Sequence, residues 1–469
     1  MQRSVTQRDG RNAPLIMLVI FAAFLVTCAF GGGASRVDVA SQPFVQSAAI
    51  IVLGLIATIA GRSVIDNVRP LIYFGLCCVA IVIAQLIPLP FQWWSAFPGH
   101  AVYAKAIEIA GIVPGPRPMT LTPDLTIAAL LSLFPPIAAV AALASLGSRG
   151  RVPVLIALGA IILVGALMGL LQLATGSDSP FRLYAINSTD AAIGLFANRN
   201  HHAMLMALGI PVVAILACQL ADWRVDRRIV IAFSALCALL LFASVLVAGS
   251  RGGIVLTFFA LPLAWMLGRT GLGQLPRSSR RTRRVSAGWY VTIAVSGVIG
   301  AVVMLTRTAS ITRLFGSDPL GEQRITGIAT MIKMARDFMP FGSGFGSFAS
   351  VYRTYEPVGE LSLVYLNQAH NDLVQLLIEG GIPALVALFV LIGWWVGRIK
   401  YLWLGSAADD MRRRTERLGT VIMGMLLLGS VMDYPLRTPL MAVIFALAAV
   451  MAAGSKPNRP LTSVDAALP

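Results

Sequence analysis

Apolar runs of 17 residues or more recur along this chain, separated by short polar connections and by one long one. At ~1.5 Å of rise per residue, a helix built from such a run matches the ~30 Å hydrocarbon layer of a bilayer. Inside lipid every backbone N–H and C=O must find a partner within the protein, which leaves helices or a closed barrel. No stretch shows the two-residue alternation of a membrane barrel strand. Gly and Pro recur inside the runs, as membrane helices tolerate. Charged residues make up only 12% of the chain, against about a quarter in a soluble domain. The fold expected is therefore an all-α polytopic membrane protein with about 12 transmembrane helices.

Spans are expected at about 13–30, 44–60, 70–88, 125–147, 153–174, 201–221, 229–249, 252–268, 288–306, 373–397, 418–434 and 438–454. The first follows Arg3, Arg8 and Arg11, a basic start that also suits a signal peptide, and Leu25-Val26-Thr27-Cys28 approaches a lipoprotein cleavage box. The length of the run, and Thr27 where a smaller residue belongs, favour an uncleaved span. With the N-terminus inside, every short inside loop is basic, from Arg62 and Arg69 to Arg412, Arg413, Arg414 and Arg417. Such loops fix orientation, so the net charge of +16 needs no nucleic acid to explain it. Cys28, Cys77, Cys78, Cys218 and Cys237 all fall in apolar runs at no metal-ligand spacing and read as small core residues. The chain divides into N-terminal spans (1–174), a region 175–454 that includes a long outward loop (307–372), and a tail (455–469) on the inner side. Trp93 and Trp94, in an earlier outward segment, are placed to anchor among membrane lipids.

The long loop is too large for a mere connector, since most connections take about 4–6 residues. Its Ile325–Met339 stretch is amphipathic, with Ile328, Met331, Ile332 and Ala335 at helical spacing. Arg324 opens that stretch and suits either a solvated helix face or an anion contact; Lys333 and Arg336 read as solvated or lipid-facing. The run PFGSGFGSF (Pro340 to Phe348) lacks the strand and spacing of a dinucleotide fingerprint and reads as a glycine hinge. Arg251 lies in Gly249-Ser250-Arg251-Gly252-Gly253, a turn on the outer side. An arginine there opposes the orientation bias, so it either snorkels to headgroups or meets an anion. His370 precedes the span at 373–397 and suits a proton acceptor as well as a helix cap; Asn371 and Asp372 stand next to it to orient it. Glu379, one turn beyond Gln375, is a carboxylate inside a span, and an arginine is its natural partner. Arginines at an outer face together with one base suit a lipid diphosphate carrying sugar, because guanidinium binds phosphate oxygens bidentately and stays charged. No carboxylate cluster points to a divalent metal, and no metal or cofactor is expected.

At these residues the chain resembles the O-antigen ligase family, which takes in O-antigen and exopolysaccharide polymerases. The matching pieces are Phe196-Ala197-Asn198-Arg199-Asn200-His201, Ser250-Arg251-Gly252-Gly253, the block from Arg324 through PFGSGFGSF, and AHND followed by LVQLLIEGG. The resemblance runs from about Thr175 to Met451 and implies a GT-C-like architecture with one large periplasmic loop. It implies an inverting, metal-independent glycosyltransferase of the bacterial inner membrane, its active site facing the periplasm. The donor implied is a saccharide on undecaprenyl diphosphate, and the acceptor a glycan or lipid A core. Arg251 and Arg324 match the arginines credited with gripping the diphosphate, and His370 the activator of the acceptor hydroxyl. Asn200, His201, Asn371 and Glu379 are candidates for binding substrate. The other classes weighed are a flippase or similar transporter, which places ionisable groups and broken helices at the midplane of several spans, and a structural scaffold, which needs neither Arg251 nor AHND.

Overall fold

The computed structural model describes residues 3–59, 68–189, 191–273, 319–360, 366–405 and 409–454. Its helices are α1 (Arg3–Gly31), α2 (Ser41–Ile59), α3 (Arg69–Gln85), α4 (Phe91–Ala96), α5 (Ala101–Ile109), α6 (Pro123–Leu131), α7 (Phe134–Leu146) and α8 (Arg151–Thr175). Then come α9 (Arg199–Asp222), α10 (Arg227–Ala248), α11 (Arg251–Gly273), α12 (Pro319–Asp337), α13 (Phe348–Tyr355), α14 (Asp372–Leu404), α15 (Met411–Met432) and α16 (Pro439–Ala453). Among the described residues the only sheet is a two-residue antiparallel pair, Pro88–Leu89 with Arg117–Pro118, which closes the segment holding α4 and α5.

The all-α polytopic class holds: eight stretches among the described residues are long and apolar enough to cross a membrane. Two shorter apolar helices, Arg69–Gln85 and Pro439–Ala453, stand where spans were expected at 70–88 and 438–454. The expected span at 288–306 and the first part of the long loop lie outside the described residues. One expected span, 125–147, is not a single helix: α6 ends at Leu131 and α7 begins at Phe134. Pro135 and Pro136 explain the interruption, because proline fits only the first turn of a helix.

The core gathers around α9. Its run Ala203–Met204–Leu205–Met206–Ala207–Leu208 is buried on every side, as expected for a helix apolar all round and enclosed by others. Small residues bring α11 close: a Cβ added to Gly253 stands 2.5 Å from that of Ala203. At the opposite end from the long loop, several of the arginines assigned to orientation turn out to be structural. Arg413 and Arg414 are buried; Arg413 donates to the carbonyls of Tyr401, Leu402 and Gly405 and so closes the C-terminus of α14. Arg414 and Arg417 pair with Asp409 at 3.3 and 2.7 Å.

α14 is broken at Gly381, which has φ 58° and ψ −151°. Pro383 cannot donate to the carbonyl of Glu379, four residues back, and its ring crowds that carbonyl. The freed oxygen accepts instead from Gln85 Nε2 at 2.9 Å and from the backbone N–H of Gly344 at 3.0 Å. Ser343 N–H donates to the Ile378 carbonyl and Ile382 N–H to that of Pro340. PFGSGFGSF is thus the plug of the broken helix, not a free hinge as the sequence suggested. Its glycines are required by space as well as by φ: at Gly344 (φ 105°) a Cβ falls 1.9 Å from Thr120 Oγ1. Gly344→Ala is expected to destabilise the protein by about 1–3 kcal/mol, the usual cost of overpacking. A lowered unfolding midpoint in detergent checks it; an unchanged midpoint refutes the plug.

Candidate active site

Five helix ends meet on the side of the bundle that carries the loop helices. Asn198 caps α9, its side chain accepting from the N–H of Asn200 at 2.8 Å. Gly249, left-handed at φ 62°, ends α10, and Ser250 Oγ accepts from the N–H of Gly253 to start α11. Gly252 faces Met432, the last residue of α15. Asn371 caps α14 by accepting from the N–H groups of Leu373 and Val374 at 3.0 and 3.1 Å. Arg251 is thereby held on an exposed helix start, one residue from the contact with Met432 and so beside the Met432–Asp433 corner.

His370 reaches that same corner. It stands just before the cap of α14 with φ 50°, a left-handed conformation in which histidine is enriched among non-glycine residues. The turn aims the imidazole at Asp433: Nδ1 lies 3.0 Å from Oδ1, and since a carboxylate only accepts, Nδ1 is the donor. Asp433 is buried and further accepts from the N–H of Tyr434 at 3.0 Å and from Asn200 Nδ2 at 2.6 Å. Tyr434 presents its ring edge-on to both His370 and His201, with centroids 4.8 and 5.0 Å apart. The orienting carboxylate is therefore Asp433, sixty-three residues away, and not the adjacent Asp372.

Asp372 belongs to a second polar cluster. Arg437 donates through Nε to Asp372 Oδ1 at 3.3 Å and through Nη2 to Glu379 Oε2 at 3.0 Å. Ser430 Oγ donates to Asp372, while Phe348 N–H and Gln375 Nε2 donate to Glu379 Oε1. Burial alone draws the Arg437 guanidinium down, but the charges of Glu379 and Asp372 outweigh it and hold it above its ordinary value. Glu379 thus has the arginine partner expected of an intramembrane carboxylate, supplied by the connection between α15 and α16.

The loop helices form a small core of their own. Met331, Met334, Ala335 and Phe338 of α12 and its end pack on Phe348, Val351, Tyr352, Leu366, Ala369 and Ile378. The apolar face is rotated from that expected: Ile328 and Ile332 are exposed, whereas Met334 is fully buried. Lys333 is exposed and pairs with Asp337 at 2.8 Å. Arg324 lies on α12, with its side chain outside the described residues. Since Leu366 and Ala369 belong to this core, it also fixes the approach of the chain to His370.

Of the residues singled out in the sequence, Asn200, His201 and His370 gather with Asp433 and Tyr434, and Arg251 starts its helix beside them. Asn371 and Glu379 sit on the first turns of α14. His201 is buried between Phe196 and Tyr434, and neither of its ring nitrogens has a protein partner among the described residues. Asp433 and Arg437 were missed, although the arguments applied to Glu379 and Arg251 cover them equally: a carboxylate in an expected span and an arginine in a short outward connection. Among the described residues no three His, Cys, Asp or Glu side chains are grouped to hold a metal ion.

A helical multi-span protein with a carboxylate-oriented histidine at converging helix ends belongs to the class of membrane-embedded enzymes. Residues 236–389 match the family model for O-antigen ligase, so the chain carries an O-antigen ligase domain. It is a glycosyl-transferring membrane enzyme that ligates or polymerises glycan in surface-polysaccharide synthesis. The match spans Arg251, Arg324, His370 and Glu379 and stops short of Asp433. No curated protein matches the chain.

Proposed function

We propose that this chain transfers a saccharide, with inversion, from undecaprenyl diphosphate to a hydroxyl of a glycan or lipid A core acceptor. The active site faces the periplasm across the bacterial inner membrane, and region 175–454 is its catalytic part. The observation that carries this reading is the His370–Asp433 pair. With Nδ1–H donated to Asp433, Nε2 is the ring nitrogen that carries the basic lone pair and takes the proton in this reading. The acceptor hydroxyl gives that proton to Nε2 as its oxygen attacks the anomeric carbon, and the bond to the diphosphate oxygen breaks on the opposite face. Asp433 stabilises the imidazolium that forms, and Asn200 and Tyr434 keep Asp433 and the ring in place.

The departing diphosphate gathers negative charge, and preorganised cations stabilise it where it develops. Arg251 and Arg324 take that role, doing by charge and hydrogen bonding what a divalent ion does in other transferases. Arg251→Ala is expected to lower transfer by about 10²-fold, as for loss of one charge-stabilising donor; Arg251→Lys keeps the charge but not the bidentate fork and falls between. The test is transfer of radiolabelled saccharide from the lipid-linked donor by purified protein. Undiminished transfer by Arg251→Ala overturns the assignment. Undiminished surface glycan with Arg251, Arg324 and His370 each changed to Ala overturns the function.

A further inference from the structure

The break at Gly381 makes the start of α14 a separate piece, from Asp372 to Gly380, roughly 13 Å long at the helical rise. His370 stands at its head, but the long span beyond Gly381 does not set its direction. Two other sets of contacts do. The glycine plug holds its far end through the carbonyls of Ile378 and Glu379. Arg437 holds its flank, donating to Asp372 at 3.3 Å and to Glu379 at 3.0 Å. These two carboxylates lie about two helical turns apart on one face, so a single planar guanidinium fixes the piece in rotation as well as in height.

The same arginine belongs to the connection that carries Asp433. Arg437 ends the single 3₁₀ turn Pro435–Arg437, in which Pro435 is buried and has its φ locked by its ring. Thr438 Oγ1 donates to the Pro435 carbonyl at 2.8 Å, and the N–H of Asp433 donates to that of Gly429 in the last turn of α15. Asp433 and Arg437 are thus two points of one short, braced connection, and each reaches across to the α14 piece. The contact of Asp433 with His370 meets a ring whose charge changes as it takes and gives up a proton. The contacts of Arg437 meet no such change, because guanidinium stays ionised. We propose that Arg437 is a positioning residue: by clamping Asp372 and Glu379 it sets the α14 piece at the separation that keeps Asp433 on His370 Nδ1. It acts through Asp433 and not on the substrate. Its effect on transfer rests on the reading of His370 as the base; its effect on the imidazole does not.

The test uses the full-length protein in lipid nanodiscs with isotopically labelled histidine, read by nitrogen NMR. The chain has four histidines, so the His370 signals are those missing from His370→Gln. The hydrogen bond at one ring nitrogen decides which of the two keeps the proton, and wild-type neutral His370 is expected as the Nδ1–H form alone. Arg437→Lys keeps the charge but cannot fork to both carboxylates, and a mixture of both neutral tautomers is expected. Transfer is expected to fall about tenfold at unchanged donor affinity, within the ~10²-fold that a 1 Å misplacement can cost. In an Asp433→Asn background Arg437→Lys is expected to lower transfer no further, since the contact it serves is already lost. Asp372→Asn, which releases one arm of the clamp, takes its place if Arg437→Lys does not fold. An unchanged tautomer in a folded clamp variant, losses that multiply across the two backgrounds, or weakened donor affinity overturns the proposal and leaves the transfer reading standing. A tautomer that shifts with Arg437 in a protein that transfers no saccharide sustains the clamp and removes only the transfer reading.

Discussion

His370→Ala lowers glycosyl transfer by about 10²–10⁴-fold, the usual contribution of a positioned base, while affinity for the lipid-linked donor changes little. Asp433→Asn approaches the same loss, because the amide can turn its N–H₂ toward Nδ1 and favour the tautomer that blocks Nε2. Groups that act as a unit are not additive, so the double variant falls no further than His370→Ala alone. The measurement is single-turnover transfer of labelled saccharide with donor binding followed separately. A His370→Ala enzyme at wild-type rate removes the base; losses that multiply in the double variant break the coupling to Asp433.

Arg437→Met is expected to cost the fold about 3 kcal/mol. Removing one member of a buried ion pair typically costs ~3–5 kcal/mol, since the remaining charge is left uncompensated. Arg437 keeps 23% of its side chain exposed, so solvent screening sets the expectation at the low end of that range. Glu379 has no such relief, being fully buried. Changing both partners, Arg437→Met with Glu379→Gln, recovers part of the loss because one of the stranded charges is gone and the hydrogen bonds of Gln375 and Phe348 still find an acceptor. Thermal unfolding of the purified protein checks both; an unshifted midpoint in Arg437→Met shows the cluster to be incidental.

Much of the architecture was legible because bilayer length and backbone satisfaction act on contiguous residues. The expected spans among the described residues coincide with apolar helices, and the one expected continuous run that failed, 125–147, did so at Pro135–Pro136, a local signal that a count of apolar residues passes over. The site was legible in its local pieces. AHND before a span and an arginine in an outer turn are visible without a fold. The glycine run was visible too, but its purpose was not: Gly344 and Gly342 matter because Thr120 and Glu379 stand against them.

Chain order alone settled the membrane class, the helices, and the candidacy of Arg251, Arg324 and His370, since each of these follows from a residue and its near neighbours. Folding settled the partners. His370 is served by Asp433 and Glu379 by Arg437, pairs separated by 63 and 58 positions. Helix ends distant in the chain meet only when α9 is enclosed by its neighbours, and a hydrogen bond depends on that meeting, not on spacing. The cluster of Arg437 with Asp372 and Glu379 arises the same way, from side chains that two separate segments bring together.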